Sequence, residues 1–159
     1  MRASRKAAIA AVLASFAVLG TAGPALATPG HASVTTAQLV GVVHQTGPTT
    51  ADVTARYTCT GTPDQLHLWV SVKQSADRTA DPMLATEGSS QVAAAWSQSH
   101  SGVLLLTCDG MNHVTTFSVD QVEQGFGTLA KGDAWVQFCL FDSTTPMEPV
   151  SDMEFMHVR

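Results

Sequence analysis

Leu66-His-Leu-Trp-Val-Ser-Val-Lys73 alternates without a break: Leu66, Leu68, Val70 and Val72 fall on one side, His67, Trp69, Ser71 and Lys73 on the other. A period of two sends successive side chains to opposite faces of an extended chain, so this stretch predicts a half-buried β-strand and not a helix. The same period recurs on either side of it. Residues 52–60 set Val53, Ala55, Tyr57 and Cys59 against Thr54, Arg56, Thr58 and Thr60, and residues 134–141 set Val136, Phe138 and Leu140 against Trp135, Gln137, Cys139 and Phe141. Further strands are predicted over 37–44, 113–120 (with Phe117 and Val119 as its core positions) and 152–158. The apolar run 103–107 reads as a buried strand, while 91–97 suits a helix or a strand.

Turn chemistry separates these segments: 45–50, Thr62-Pro63-Asp64, Asp109-Gly110, Gly125-Phe-Gly127 and Lys131-Gly-Asp133. Residues 74–90 have little periodicity and read as the longest loop. Seven or eight short strands with turns at about 8–12-residue spacing predict an all-β domain, an immunoglobulin-like antiparallel β-sandwich, with a small closed β-barrel as the alternative.

The chain opens on Met1-Arg-Ala-Ser-Arg-Lys6, an apolar stretch from Ala7 to Leu19, and a small-residue end, Ala25-Leu-Ala27. A basic start, a short hydrophobic segment and an A-x-A site make up a secretory signal peptide. Residues 1–27 are therefore expected to be removed, leaving 28–159 as a single secreted, extracellular domain. The apolar run is shorter than the roughly 20 residues of a membrane span. No cysteine follows the cut and no hydrophobic tail ends the chain, so no membrane anchor is expected. Loss of Arg2, Arg5 and Lys6 leaves five basic residues against 13 acidic ones, a formal charge of −8 in place of −5. That balance disfavours nucleic acid and anionic surfaces as partners. A single isoleucine, Ile9, and a single asparagine, Asn112, beside abundant Ala, Val and Thr read as the coding bias of a GC-rich bacterium.

An exported chain can form disulfides, and three cysteines leave one over. Cys59–Cys139 would mimic the inter-sheet bridge of immunoglobulin domains, whereas Cys59–Cys108 would tie the second strand to the Asp109-Gly110 turn. Closing either loop is worth roughly 4–4.5 kcal/mol, so loop entropy does not choose. The immunoglobulin pattern asks for a tyrosine two residues before the second cysteine, where this chain has Gln137, which weighs toward Cys59–Cys108 and leaves Cys139 as a free thiol.

Tyr57-Thr-Cys59, Cys108-Asp-Gly110 followed by His113, and Lys131-Gly-Asp-Ala-Trp-Val136 resemble a group of small secreted actinobacterial proteins of uncharacterised activity, over roughly residues 50–142. The resemblance implies an exported immunoglobulin-like β domain with its first two cysteines paired. It implies no activity, and Cys139 departs from its pattern.

No Gly-x-Ser-x-Gly elbow, phosphate loop or other catalytic signature is present, so the chain is expected to be non-enzymatic and to need no cofactor. Cys139 with a histidine partner would make a thiol nucleophile, but a buried thiol is the simpler expectation. Soft ligands give a copper alternative: Met111 and His113 lie close in sequence, as do Met153, Met156 and His157. The start of the mature chain, Thr28-Pro-Gly-His31, does not fit an amino-terminal copper site, because Pro29 has no amide proton to lose. The leading expectation is a binding surface. If 66–73 and 134–141 are neighbours with aliphatic faces inward, Trp69 and Trp135 face out beside His67 and Lys73, a platform for an extracellular protein or carbohydrate. A protein-directed effector or protease inhibitor, presenting 74–90, is a further alternative.

Overall fold

The structure is a computed structural model that describes residues 33–61, 66–86, 91–102, 106–142 and 150–159; the proposed signal peptide lies outside these residues. Eight strands follow one another: β1 (Ser33–Leu39), β2 (His44–Gln45), β3 (Ala51–Thr60), β4 (Leu66–Gln74), β5 (Ala95–Gly102), β6 (Asp109–Phe126), β7 (Gly132–Asp142) and β8 (Val150–Val158). Every ladder between them is antiparallel, in the order β1-β3-β6-β5-β4-β7-β8, with β2 also on β3. Among the described residues there is no α-helix; a 3-10 turn, Pro82–Ala85, interrupts the segment after β4.

Two faces press together. In one, β1 and β6 flank β3; in the other, β5 and β7 flank β4, and β8 lies outside β7. The long β6 joins them, pairing with β3 up to Val119 and with β5 from Asp120 to Phe126. On the opposite side Val43 bridges Val158 in parallel, the Val43 and Arg159 amides donate to the His157 and Val43 carbonyls at 3.0 Å, and Asp152 accepts from the Leu39 amide at 2.7 Å. The sheet is thus nearly closed, and the sandwich and the small barrel are two descriptions of one object.

Alternation decides what goes inside. Leu66, Leu68, Val70 and Val72 of β4 meet Val136, Phe138 and Leu140 of β7, and across from them lie Val53, Tyr57, Phe117 and Val119, all 4 % exposed or less. Burying each such side chain contributes about 1.5–3 kcal/mol, which fixes the register, since a one-residue slip would turn the whole row to solvent.

Three expectations need correction. The first strand runs 33–39 and not 37–44. Asp109 and Gly110 begin β6 and are not a turn; Gly110 takes a φ of 82° within the strand. The buried strand placed at 103–107 falls largely outside the described residues, and Leu106, though buried, belongs to no strand; β5 ends at Gly102 instead.

Candidate functional site

The outer face of the second sheet gathers the chain's three tryptophans. Register sets Trp96, Lys73, Trp135 and Phe155 in one row across β5, β4, β7 and β8, and Gln98, Ser71, Gln137 and Met153 in the next. A third row runs His100, Trp69, Cys139, Ser151. Trp135 meets Phe155 edge-on at 5.0 Å, and the Lys73 ammonium lies 5.3 Å from the centroid of Trp96. The Trp96 indole N–H is itself buried without a hydrogen-bond partner.

The expected neighbours are therefore neighbours: Trp69, Trp135, His67 and Lys73 share this face, and both indoles are partly exposed. The rings shield what lies between them, for Ser71, Cys139 and Lys73 are 0, 4 and 8 % exposed although they point away from the core. Burial pushes the Lys73 ammonium down from its ordinary value and the Cys139 thiol up. Hydrogen bonds lock the surface as well: Ser71 Oγ donates to Gln137 Oε1 at 3.1 Å, and Trp69 Nε1 donates to Gln98 Oε1 at 2.9 Å.

The Trp69 end of this face runs into a fork. β5 and β6 pair only at Trp96, Ser97 and Gln98, and past Gln98 their arms diverge, β5 staying on β4 and β6 crossing to β3. Past the fork the inward position of β5 is Ser99, too small to fill the opening, opposite Val70. A cleft of about 430 Å³ results, floored by Leu68, Val70 and Phe117 and edged by His100, Asp120 and Glu123. A second hollow of about 360 Å³ adjoins it, between Trp69, Phe141, His100, Glu123, Gln98 and Gln124. His100 and Glu123 line both.

An excursion of β6 forms a side that both share. Gln98 faces Asp120 and Ser97 faces Gly125, so residues 121–124 bulge outward and leave Val122 85 % exposed. The amide of Gln121 staples this bulge, with Nε2 2.9 Å from the Phe126 carbonyl, 3.0 Å from that of Trp96 and 3.1 Å from that of Gly127. Gln98 Nε2 donates to Gln124 Oε1 at 2.9 Å, which continues the hydrogen-bond line from Trp69 into the bulge. On the other flank His67 stacks with His100 at 5.4 Å and with Phe141 at 5.3 Å.

Sequence reasoning missed His100, Phe141, Gln98, Asp120, Glu123 and Gln124. The available signal was the polar run 120–124 ahead of Gly125-Phe-Gly127, which breaks the alternation of its strand.

Cys59 and Cys108 form a disulfide, and Cys139 is free and buried. The five residues of the copper alternative are not brought together. Met111 and His113 lie on β6 in the first sheet; His113 Nε2 donates to Asp109 Oδ1 at 2.7 Å, and its ring stacks on Tyr57. Met153, Met156 and His157 lie on β8, where alternation buries Met156 in the core while Met153 and His157 face out, His157 at 3.2 Å from Asp133. Among the described residues no group of three or more His, Cys, Asp or Glu side chains is placed to hold a metal ion.

Of the segment 74–90, residues 87–90 lie outside the described part. The portion after Ser75 is fastened to the body by Arg78, which donates to the Ser75 and Thr128 carbonyls at 2.9 and 2.8 Å. Set beside protein-family models and curated proteins, this chain matches none.

Proposed function

We propose that the chain is a secreted, non-enzymatic binding protein whose ligand surface is the outer face of the β5-β4-β7-β8 sheet, centred on Trp69 and Trp135. One contrast carries the reading. The outer face of the first sheet is polar but for Val114: Thr54 and Thr116 share a hydrogen bond at 3.0 Å, Ser118 donates to Asp52 at 2.6 Å, and Arg56 reaches Gln38. The outer face of the second carries three indoles, Phe141 and Phe155. Solvation alone asks for the first composition on both sides. Partly exposed rings edged by amides suit the C–H faces of a sugar or the apolar side chains of a protein, so the partner is an extracellular carbohydrate or protein.

Export is supported by the three-part leader and by the Cys59–Cys108 bridge, which belongs to an oxidising compartment. Among the described residues no helix is long and apolar enough to cross a membrane.

Acrylamide quenching of tryptophan emission tests the surface directly. Trp69→Ala and Trp135→Ala should each remove a quenchable component while leaving a cooperative urea transition. The same variants should weaken retention on an immobilised polysaccharide or protein partner. Quenching that is unchanged in both variants would place the indoles out of reach and end the proposal.

A further inference from the structure

The fork at the Trp69 end offers a more specific chemistry than the flat face beside it. We infer that the two joined hollows bind an alkylated ammonium group bearing a short apolar tail, the head between Trp69, Phe141 and Glu123 and the tail over Leu68, Val70 and Phe117. This rests on the reading of the outer face as a ligand surface and names what one end of it takes.

Three observations converge. First, the outer hollow is walled by the aromatic rings of Trp69, Phe141 and His100 with a carboxylate, Glu123, on its rim. Aromatic faces attract cations through their quadrupoles, and alkylated ammonium ions gain most because they are weakly hydrated. Second, the charge is of one sign. Among the described residues the two hollows are lined by Asp120 and Glu123 and by no lysine or arginine, within a chain of formal charge −5. A carboxylate or phosphate ligand would meet two carboxylates there and no lysine or arginine among the described residues. Third, the inner cleft reaches side chains of the core. Leu68, Val70 and Phe117 are at most 4 % exposed yet line a space of about 430 Å³, within the range of small-molecule sites. A purely polar cation would leave that floor unused, whereas an alkyl tail covers it.

The parts are also held in place. Trp69 is fixed through Gln98 to Gln124, and Gln121 fastens the bulge that borders both hollows. The disulfide holds the root of β6 on the first sheet, while β5 is laddered to β4 through eight residue pairs, so the arms of the fork are anchored on different faces. A site set in this way is open before the ligand arrives.

The probes are choline, butyl- and hexyltrimethylammonium, the neutral choline isostere 3,3-dimethylbutanol, and hexanoate, titrated into the disulfide-intact protein. Tryptophan emission and amide shifts in a ¹⁵N spectrum are the readouts. Hexyltrimethylammonium should bind saturably, with shifts centred on Gln98, His100 and residues 120–124. Each added methylene should tighten binding about fourfold until the floor is covered. The isostere and hexanoate should bind at least tenfold more weakly, as should the ammonium probes to the Asp120→Asn/Glu123→Gln variant, whose changes lie at the surface.

Equal affinity for the neutral isostere, shifts that map elsewhere, or no saturation by any ammonium at about 1 mM would overturn the inference. Val114→Ala, exposed on the outer face of the first sheet, should leave the ammonium titration unchanged. If the ammonium probes fail while partner binding still depends on Trp135, the inference falls and the wider face remains a ligand surface.

Discussion

Reducing the Cys59–Cys108 bridge gives the most quantitative test of how this fold is held. The bridge spans 49 residues, from the end of β3 to the root of β6. Closing a loop of that length removes about 4 kcal/mol of chain entropy from the unfolded state. Net stabilities of single domains are about 5–15 kcal/mol, so reduction should consume a large share of the total. Urea unfolding with and without reductant isolates this effect, because the side chains stay the same. With a urea slope of about 2 kcal/mol/M, the midpoint should drop by about 2 M. Cys59→Ala/Cys108→Ala should lose about 1 kcal/mol more, since Cys59 is fully buried and the missing sulfur leaves a void. Amide exchange should rise first in the 109–117 arm of β6, which the bridge holds to β3. A midpoint shift below about 0.5 M on reduction would refute the reasoning, and would mean that the ladder from β3 to β6 fixes the fork without the covalent link.

Three further outcomes follow from single residues. Cys139 is shielded and its thiol pushed up by burial, so a thiol reagent at mild alkaline pH should label it at least about 100-fold more slowly in the folded protein than in urea; labelling at similar rates would show an open face. The hydrogen bond from His113, and after it the Met111 amide, hold the Asp109 carboxyl below its usual range. A carboxyl lowered by folding stabilises above its unfolded value, near pH 4, and that contribution is lost as pH falls through the folded value. Asp109→Asn should therefore flatten the acid limb of the urea midpoint below about pH 4, and an unchanged limb would remove Asp109 from the account. Gly127 sits at a φ of 73°, where a Cβ would collide with the Ala94 carbonyl oxygen. Gly127→Ala should cost about 2–4 kcal/mol, read as a urea midpoint shift, and a loss under about 0.5 kcal/mol would contradict that crowding.

How much of this was legible before the structure depends on what each strand faces. β4 and β7 alternate aliphatic with bulky polar or aromatic residues, so the period shows at once, while their pairing, which the sequence supports only as a condition, and the register that sets Lys73 opposite Trp135 come from the structure. The free thiol was legible for the same reason: Val136, Phe138 and Leu140 occupy the core side of β7, which turns Cys139 outward to Trp69 and away from any bridge through the interior. β5 was not legible. Its inward residues are Ala95, Ser97 and Ser99 and its outward ones Trp96, Gln98 and His100, which inverts the usual contrast. A search for apolar periodicity finds nothing there. The bulge at 121–124 leaves only a faint mark, Val122 out of step with Phe117 and Val119, and its register shift is held by the Gln121 staple and by Asp120, which accepts from the Val122 amide at 2.9 Å.

That failure and the cleft share one cause. An opening between strands persists only where the core side lacks the volume to close it, since interiors otherwise pack to the density of organic crystals. Ser99 supplies that lack on β5, and together with Ala95 and Ser97 it erases the periodic signal. Ser97, where β5 still pairs with β6, is fully buried and its hydroxyl donates to the Thr49 carbonyl at 2.8 Å. A strand selected only for packing would carry Val or Leu at these positions, as β4 does directly alongside. The bridge completes the arrangement. An immunoglobulin-type link through Cys139 would pin the middle of the core, but Cys108 places the bond at the root of β6, where it ties that strand to the end of β3. Constraint and vacancy thus share one strand, the bond at the start of β6 and the cleft beside its residues 116–123.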